Sequence, residues 1–165
     1  MKTPEKLPIQ VVNLLLPRLQ DELNAFYFYR SAANWCKNVG YLKAGEFFAE
    51  ESETESKHAK AIEDYLVDWN VTPDLPNILK PTLEFRNLVD VITQAYDMEY
   101  KLYEAYEETS MRIFKIGDLC VFDFLQSYRV GQKEAVAEYS DKLNMLEGTN
   151  ELSKFEMLML EKKLF

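Results

Sequence analysis

The sequence predicts an all-α protein: a bundle of four long helices, a long crossover between the second and third, and a short fifth helix at the C-terminus. Three observations carry that expectation. No proline follows Pro81, so the second half can run as uninterrupted helix. Gly40, Gly117 and Gly148 stand where a left-handed residue ends a helix and turns the chain sharply. VTPDLPNILKP holds three prolines in eleven residues, marking the one long connection.

The first helix is expected to run to about Asn38, in a bundle spanning about 9–146. Pro17 lies within it and either kinks the helix or marks its true start, because it removes a backbone donor. The second helix is placed from about Tyr41 to Asn70. The crossover after it reaches about 35 Å when extended, far enough to start the third helix at the opposite end, parallel to the second. The third helix is expected from about Thr82 to Lys115, the fourth from about Asp118 to Leu146, and the fifth over about 150–163. Its tail, LSKFEMLMLEKKLF, is apolar enough to need burial beyond one subunit, so truncation before Leu152 is expected to weaken assembly while leaving the bundle folded.

Composition narrows the function. With 165 residues and 47% hydrophobic residues, the chain suits one domain, 1–165, with a substantial core. A formal charge of −9 repels nucleic acid and anionic membranes and attracts cations, so neither is an expected partner. MKTPEKLPIQ carries no signal-like apolar run and no stretch reaches membrane-span length, which points to a cytoplasmic protein. Cys36 and Cys120 are too few and too far apart for a disulfide framework and are expected to be reduced packing residues.

The candidate chemistry begins at the only histidine. His58 follows Glu55 by three residues in ESKHAKAIEDYL, so the two side chains leave the same helix face. Alone, such a pair is usually a solvated surface feature. Its setting is different, because Glu22 precedes Gly40 by 18 residues and Glu55 follows it by 15, while Glu99 precedes Gly117 by 18 and Gln132 follows it by 15. A shift of 77 positions superposes the hairpins, with Glu22 on Glu99, Tyr29 on Tyr106, Glu55 on Gln132 and His58 on Ala135. Four polar side chains at one level of an apolar bundle would be costly without a cation, and a dinuclear metal centre satisfies them together. Carboxylates with a single imidazole favour redox-active iron or manganese over a thiolate zinc site, and iron is expected. Glu55 is expected to bridge, with Glu22 and His58 completing one position and Glu99 with Gln132 a poorer second. Tyr29 shares the Glu22 face and is placed to hydrogen-bond a ligand or donate an electron. Phe26, Phe28, Tyr103 and Tyr106 are read as core aromatics.

DELNAFYFYRSAANWC, ESKHAKAIEDYL, YDMEYKLYEAY and FDFLQSYRVGQKE together resemble the bacterial non-haem ferritins, and the resemblance runs nearly the full length. It implies a ferritin-like four-helix bundle that oxidises Fe(II) with dioxygen or hydrogen peroxide at an intrasubunit diiron ferroxidase centre. It further implies storage of ferric mineral in a hollow homo-oligomeric cage of 24 subunits, without haem. Glu51, one turn before Glu55, is the first candidate for an acid that binds iron ahead of mineral growth. A third iron site beside the centre lacks carboxylates at Thr54, Gly131 and Ala135, leaving Glu134 as its one counterpart. A haem-carrying or rubrerythrin-like relative would call for a second histidine. The alternatives are a cage subunit that nucleates mineral without oxidising iron, another diiron-carboxylate oxidase or peroxidase, and a helical module with no metal.

Overall fold

The structure, a computed structural model, describes residues 6–165. Met1–Glu5, which belong to the N-terminal stretch read for a leader and to the 1–165 domain, lie outside the described residues. The described residues form helices α1 (Ile9–Asn38), α2 (Leu42–Asp68), α3 (Leu88–Ile116), α4 (Leu119–Phe124), α5 (Gln126–Met145) and α6 (Lys154–Leu164), with one 3-10 turn at Thr149–Glu151 and no strand.

Two helical hairpins make the bundle, α1 with α2 and α3 with α4–α5. Gly40, Gly117 and Gly148 all adopt the left-handed conformation expected of them, with φ of 93°, 87° and 79°. The first hairpin is unusually close at its turn, since a Cβ on Gly45 would fall 2.6 Å from Lys37 Cγ and 3.3 Å from the Ala33 carbonyl oxygen. Pro17 sits inside α1 without ending it. Its ring is exposed, and so is Asn13, so the carbonyl deprived of a helical donor faces water.

The connection from Trp69 to Asn87 is extended, and α1 serves as its rail. Gln20 Nε2 donates to Asn77 O at 3.2 Å, Leu79 N donates to Asn24 Oδ1 at 2.9 Å, and Ser31 Oγ donates to Thr82 O. The third helix starts six residues later than expected. Thr82–Arg86 remain in the crossover, where Phe85 is buried against Trp35 and Phe28, and Asn87 caps α3 by accepting from Asp90 N at 2.9 Å. The fourth helix is not continuous either: α4 and α5 meet at Leu125. There Arg129 Nη1 donates to Phe122 O at 3.2 Å and to Ser110 Oγ at 2.9 Å, so a tertiary donor claims a carbonyl of the helix at the break.

Apolar side chains gather in two clusters at opposite ends of the bundle. One holds Val11, Leu15, Leu19, Ile62, Leu66, Leu102, Ile113 and Tyr128; the other holds Tyr29, Ala33, Phe48, Leu88, Ile92, Tyr139 and Leu146. Helix α1 passes from the first cluster to the second, α2 and α3 pass from second to first, and α5 returns. The order makes α2 and α3 parallel, as the crossover requires. It also leaves Glu22, Glu55, Glu99 and Gln132 in the layer between the clusters.

Helix α6 has a seat on its own subunit. Ser153 and Glu156 form a reciprocal cap at its start. Glu161, buried, accepts from Ala44 N at 2.8 Å, placing a carboxylate at the N-terminus of α2. Lys142 Nζ donates to Leu164 O at 2.9 Å and lies over the rings of Phe47 and Phe165. Helix α6 therefore packs on the bundle of its own subunit. Deleting residues 152–165 exposes Phe47 and leaves Lys142 and Ala44 N without these partners. The expected cost is about 3 kcal/mol or more, a fall of roughly 6–12 °C in melting midpoint. Calorimetry giving an unchanged midpoint would return α6 to a purely intersubunit role.

Candidate metal centre

The five ligand candidates come from four helices. Glu22 projects from α1, Glu55 and His58 from one face of α2, Glu99 from α3 and Gln132 from α5, and all converge in the polar layer. Glu22, Glu55, Glu99 and Gln132 are 0, 4, 1 and 4% exposed, which is unusual for side chains that normally seek water. His58 is partly exposed at the edge of the group. Its Nδ1 lies 3.0 Å from Glu55 Oε2 and 3.5 Å from Glu22 Oε2.

Two overlapping sets of donor atoms result. Glu22, Glu55 and His58 offer one atom each within 4.8 Å of one another, and so do Glu51, Glu55 and Glu99. Ligands about 2.0–2.2 Å from an ion stand about 3–4 Å apart, so a small closure of side chains suffices for either set. Only Glu55 belongs to both. Among these ligand candidates three buried acceptors have no hydrogen-bond partner: Glu22 Oε2, Glu99 Oε2 and Gln132 Oε1. Such atoms cost free energy unless something positive meets them.

Two tyrosines hold the outer carboxylates. Tyr29 on α1 donates to Glu99 Oε1 on α3, and Tyr106 on α3 donates to Glu22 Oε1 on α1. Both rings are fully buried, so each carboxylate has one oxygen tied and the other free. Tyr106 is more than the core aromatic expected of it, and the signal was in the sequence, because the 77-residue shift lays it on Tyr29. Phe26, Phe28 and Tyr103, read with it as core, are only half-buried. Tyr128 gave no such signal. It stacks on Tyr106 with centroids 5.0 Å apart and donates to His58 O at 2.9 Å, steadying the α2 turn that carries the imidazole.

The electrostatics follow from three carboxyls in a dry layer. Burial pushes the Glu55 carboxyl well above its ordinary value, reinforced by Glu22, while burial takes Glu99 up to about 7 against hydrogen bonds from Tyr29 and Gln132. Burial also acts to raise Glu22, but the adjacent Glu55 and His58 and the hydrogen bond from Tyr106 outweigh it and hold that carboxyl below its usual range. Burial would lower His58, yet the Glu22 and Glu55 carboxyl groups beside it carry it up to about 10. Without metal, the layer therefore keeps protons where cations would sit.

The centre is not sealed. A cavity of about 260 Å³ lies between α2 and α5, bounded by Glu51, His58, Gly131, Gln132, Glu134 and Ala135 among others. Glu51 is half-buried here, and burial with the nearby Glu138 carboxylate pushes it up to about 7. Glu134 lines the same mouth but is exposed and belongs to neither donor set. Thr54, Gly131 and Ala135 border the mouth without carboxylates.

The Ferritin-like domain family model matches residues 12–149. A bacterial non-heme ferritin of Campylobacter jejuni is 28% identical over 140 residues, covering 83% of this chain and 84% of that protein. A probable bacterial non-heme ferritin-like protein of Haemophilus influenzae is 27% identical over 139 residues, covering 82% and 84%. Among solved structures, the open-pore ferritin of the archaeon Archaeoglobus fulgidus superposes with a TM-score of 0.88 at 22% identity, covering 96% of each chain. A humanized archaeal ferritin gives 0.89 at 23% identity, covering 96% of this chain and 97% of its own. With a polar layer of this composition inside a bundle of this topology, and a family match across most of its length, the chain belongs to the ferritin family.

Proposed function

We propose that this protein is an iron-storage ferritin whose subunits oxidise Fe(II) at an intrasubunit diiron ferroxidase centre and store the ferric product as mineral in a hollow homo-oligomeric cage, with 24 subunits as in the family it resembles. The observation that carries the reading is the buried layer of Glu22, Glu55, Glu99 and Gln132, in which three acceptor atoms lack partners beside the sole imidazole. A pair of ferrous ions meets that need. Together they supply two electrons, which reduce dioxygen to hydrogen peroxide or hydrogen peroxide to water, leaving two ferric ions for export.

In this reading Glu55 bridges, Glu22 and His58 hold one iron, and Glu99 with Gln132 hold the other. Tyr29 and Tyr106 fix the outer carboxylates so that the free oxygens face the ions rather than rotating away. The cage is supported by apolar side chains left outside the bundle, among them Phe155 and Met159 on α6 and Leu75, Leu79 and Leu83 on the crossover. No described helix is long and apolar enough to cross a membrane.

The direct test is His58→Ala. It removes the only nitrogen donor of the centre, and the initial rate of Fe(II) oxidation in stopped-flow absorbance is expected to fall at least tenfold while cage assembly stays intact. A rate equal to that of the parent protein would take His58 out of the site, and absence of saturable Fe(II) binding by the parent would leave a scaffold that does not oxidise iron.

A further inference from the structure

The two halves of the centre are unequally supplied. The first hairpin gives Glu22, Glu55 and His58, whereas the second gives Glu99 and the neutral Gln132, with Ala135 where His58 has its counterpart. Yet two of the three unpartnered acceptors, buried Glu99 Oε2 and Gln132 Oε1, are on this poorer side, so the larger part of the unmet demand for a cation lies there. The α2 helix brings one more carboxylate there. Glu51 stands one turn before Glu55, and its oxygen lies within 4.8 Å of oxygens of both Glu55 and Glu99. Helix α2 thus offers three donors at i, i+4 and i+7, a single stripe running along the metal layer.

We propose that Glu51 is a ligand of the second metal ion, which sits among the carboxylates of Glu51, Glu55 and Glu99 and the amide oxygen of Gln132. This inference rests on the diiron reading and deepens it. The position is all-oxygen, with three carboxylates, so it takes hard cations such as Fe(III), Mn(II) or Mg(II); the imidazole-bearing position accommodates borderline ions as well. The 77-residue repeat hides the assignment, because the residue that superposes on Glu51 is Tyr128, which serves the other half of the site as a backbone-bound stacking ring.

Mn(II) is the probe, titrated anaerobically into the assembled full-length protein and followed by calorimetry and electron paramagnetic resonance. The parent is expected to bind two ions per chain and to show the signature of a spin-coupled pair bridged by one carboxylate. In Glu51→Ala the second ion should bind at least tenfold more weakly, the first should bind as before, and the coupled signal should give way to that of an isolated ion. Glu134→Ala removes the same charge from the cavity mouth without removing a donor from either set, and both ions should stay within about twofold of the parent. Retention of the second ion and the coupled signal in Glu51→Ala overturns the assignment. So does an equal loss in Glu134→Ala, which would make the effect one of general field, and so does equal weakening of both ions. A parent that binds fewer than two ions would bring down the diiron reading itself, whatever Glu51 does.

Discussion

Glu55→Gln is expected to weaken binding of both ions by more than about a hundredfold each and to reduce the initial rate of Fe(II) oxidation to the level of the uncatalysed solution reaction. The reason is the overlap of the two donor sets: Glu22, Glu55 and His58 share only Glu55 with Glu51, Glu55 and Glu99. No other single substitution reaches both positions. Losing one oriented support of a metal ligand commonly costs 10–100-fold, and losing the bridging ligand itself costs more. The amide keeps the volume and can still hydrogen-bond His58, so the layer should not collapse. Because burial already favours the neutral form of Glu55, exchanging it for a neutral amide should leave the metal-free protein as stable as the parent or slightly more so. Loss of metal with undiminished stability is the joint result to look for, by anaerobic titration and calorimetry on the same preparation. A variant that kept one ion at parental affinity would show that Glu55 serves a single position.

How much of this could be read from the chain differs by element. The hairpin turns and the parallel α2–α3 arrangement were legible because glycine punctuation and a proline-rich crossover are local signals with one physical meaning. The convergence of Glu22, Glu55, His58, Glu99 and Gln132 was legible through the repeated 18 and 15 spacings, which helix geometry converts to equal depth. The start of α3 departs from the expectation although a local sign exists, since Asn87 caps it through Asp90 N six residues beyond Pro81. The break at Leu125 left no local trace, because its cause is the reach of Arg129 to Phe122 O and Ser110. The seating of α6 was equally hidden, since Glu161 and Ala44 N meet across 117 positions. Tyr106 repeats Tyr29 at the 77-residue shift, and the two make equivalent hydrogen bonds to Glu22 and Glu99.

The metal-free protein should lose stability as pH rises from about 5 to 8, and the metal-loaded protein should not. In the folded chain Glu99 and Glu51 are pushed up to about 7 and Glu55 well above its ordinary 4.5, so the folded state holds protons that the unfolded state has released by pH 5. Stabilisation of that kind is complete below the unfolded value and is lost as pH climbs through the folded one. For Glu99, a rise from 4.5 to about 7 corresponds to on the order of 3 kcal/mol across that interval. His58 acts in the same direction, its contribution intact below 6.5 and lost on the way to about 10. Glu22 has the opposite sign, but its effect falls below its ordinary 4.5, outside this window. Metal ions displace these protons and supply the positive charge themselves, so the gap between loaded and metal-free melting midpoints should widen steadily with pH. Scanning calorimetry of Mn(II)-loaded and chelator-treated samples at half-unit steps measures it. A metal-free midpoint that rose over the same range would mean that Glu55 and Glu99 do not share one dry layer beside Glu51, and the structural basis for two adjacent cation positions would go with it.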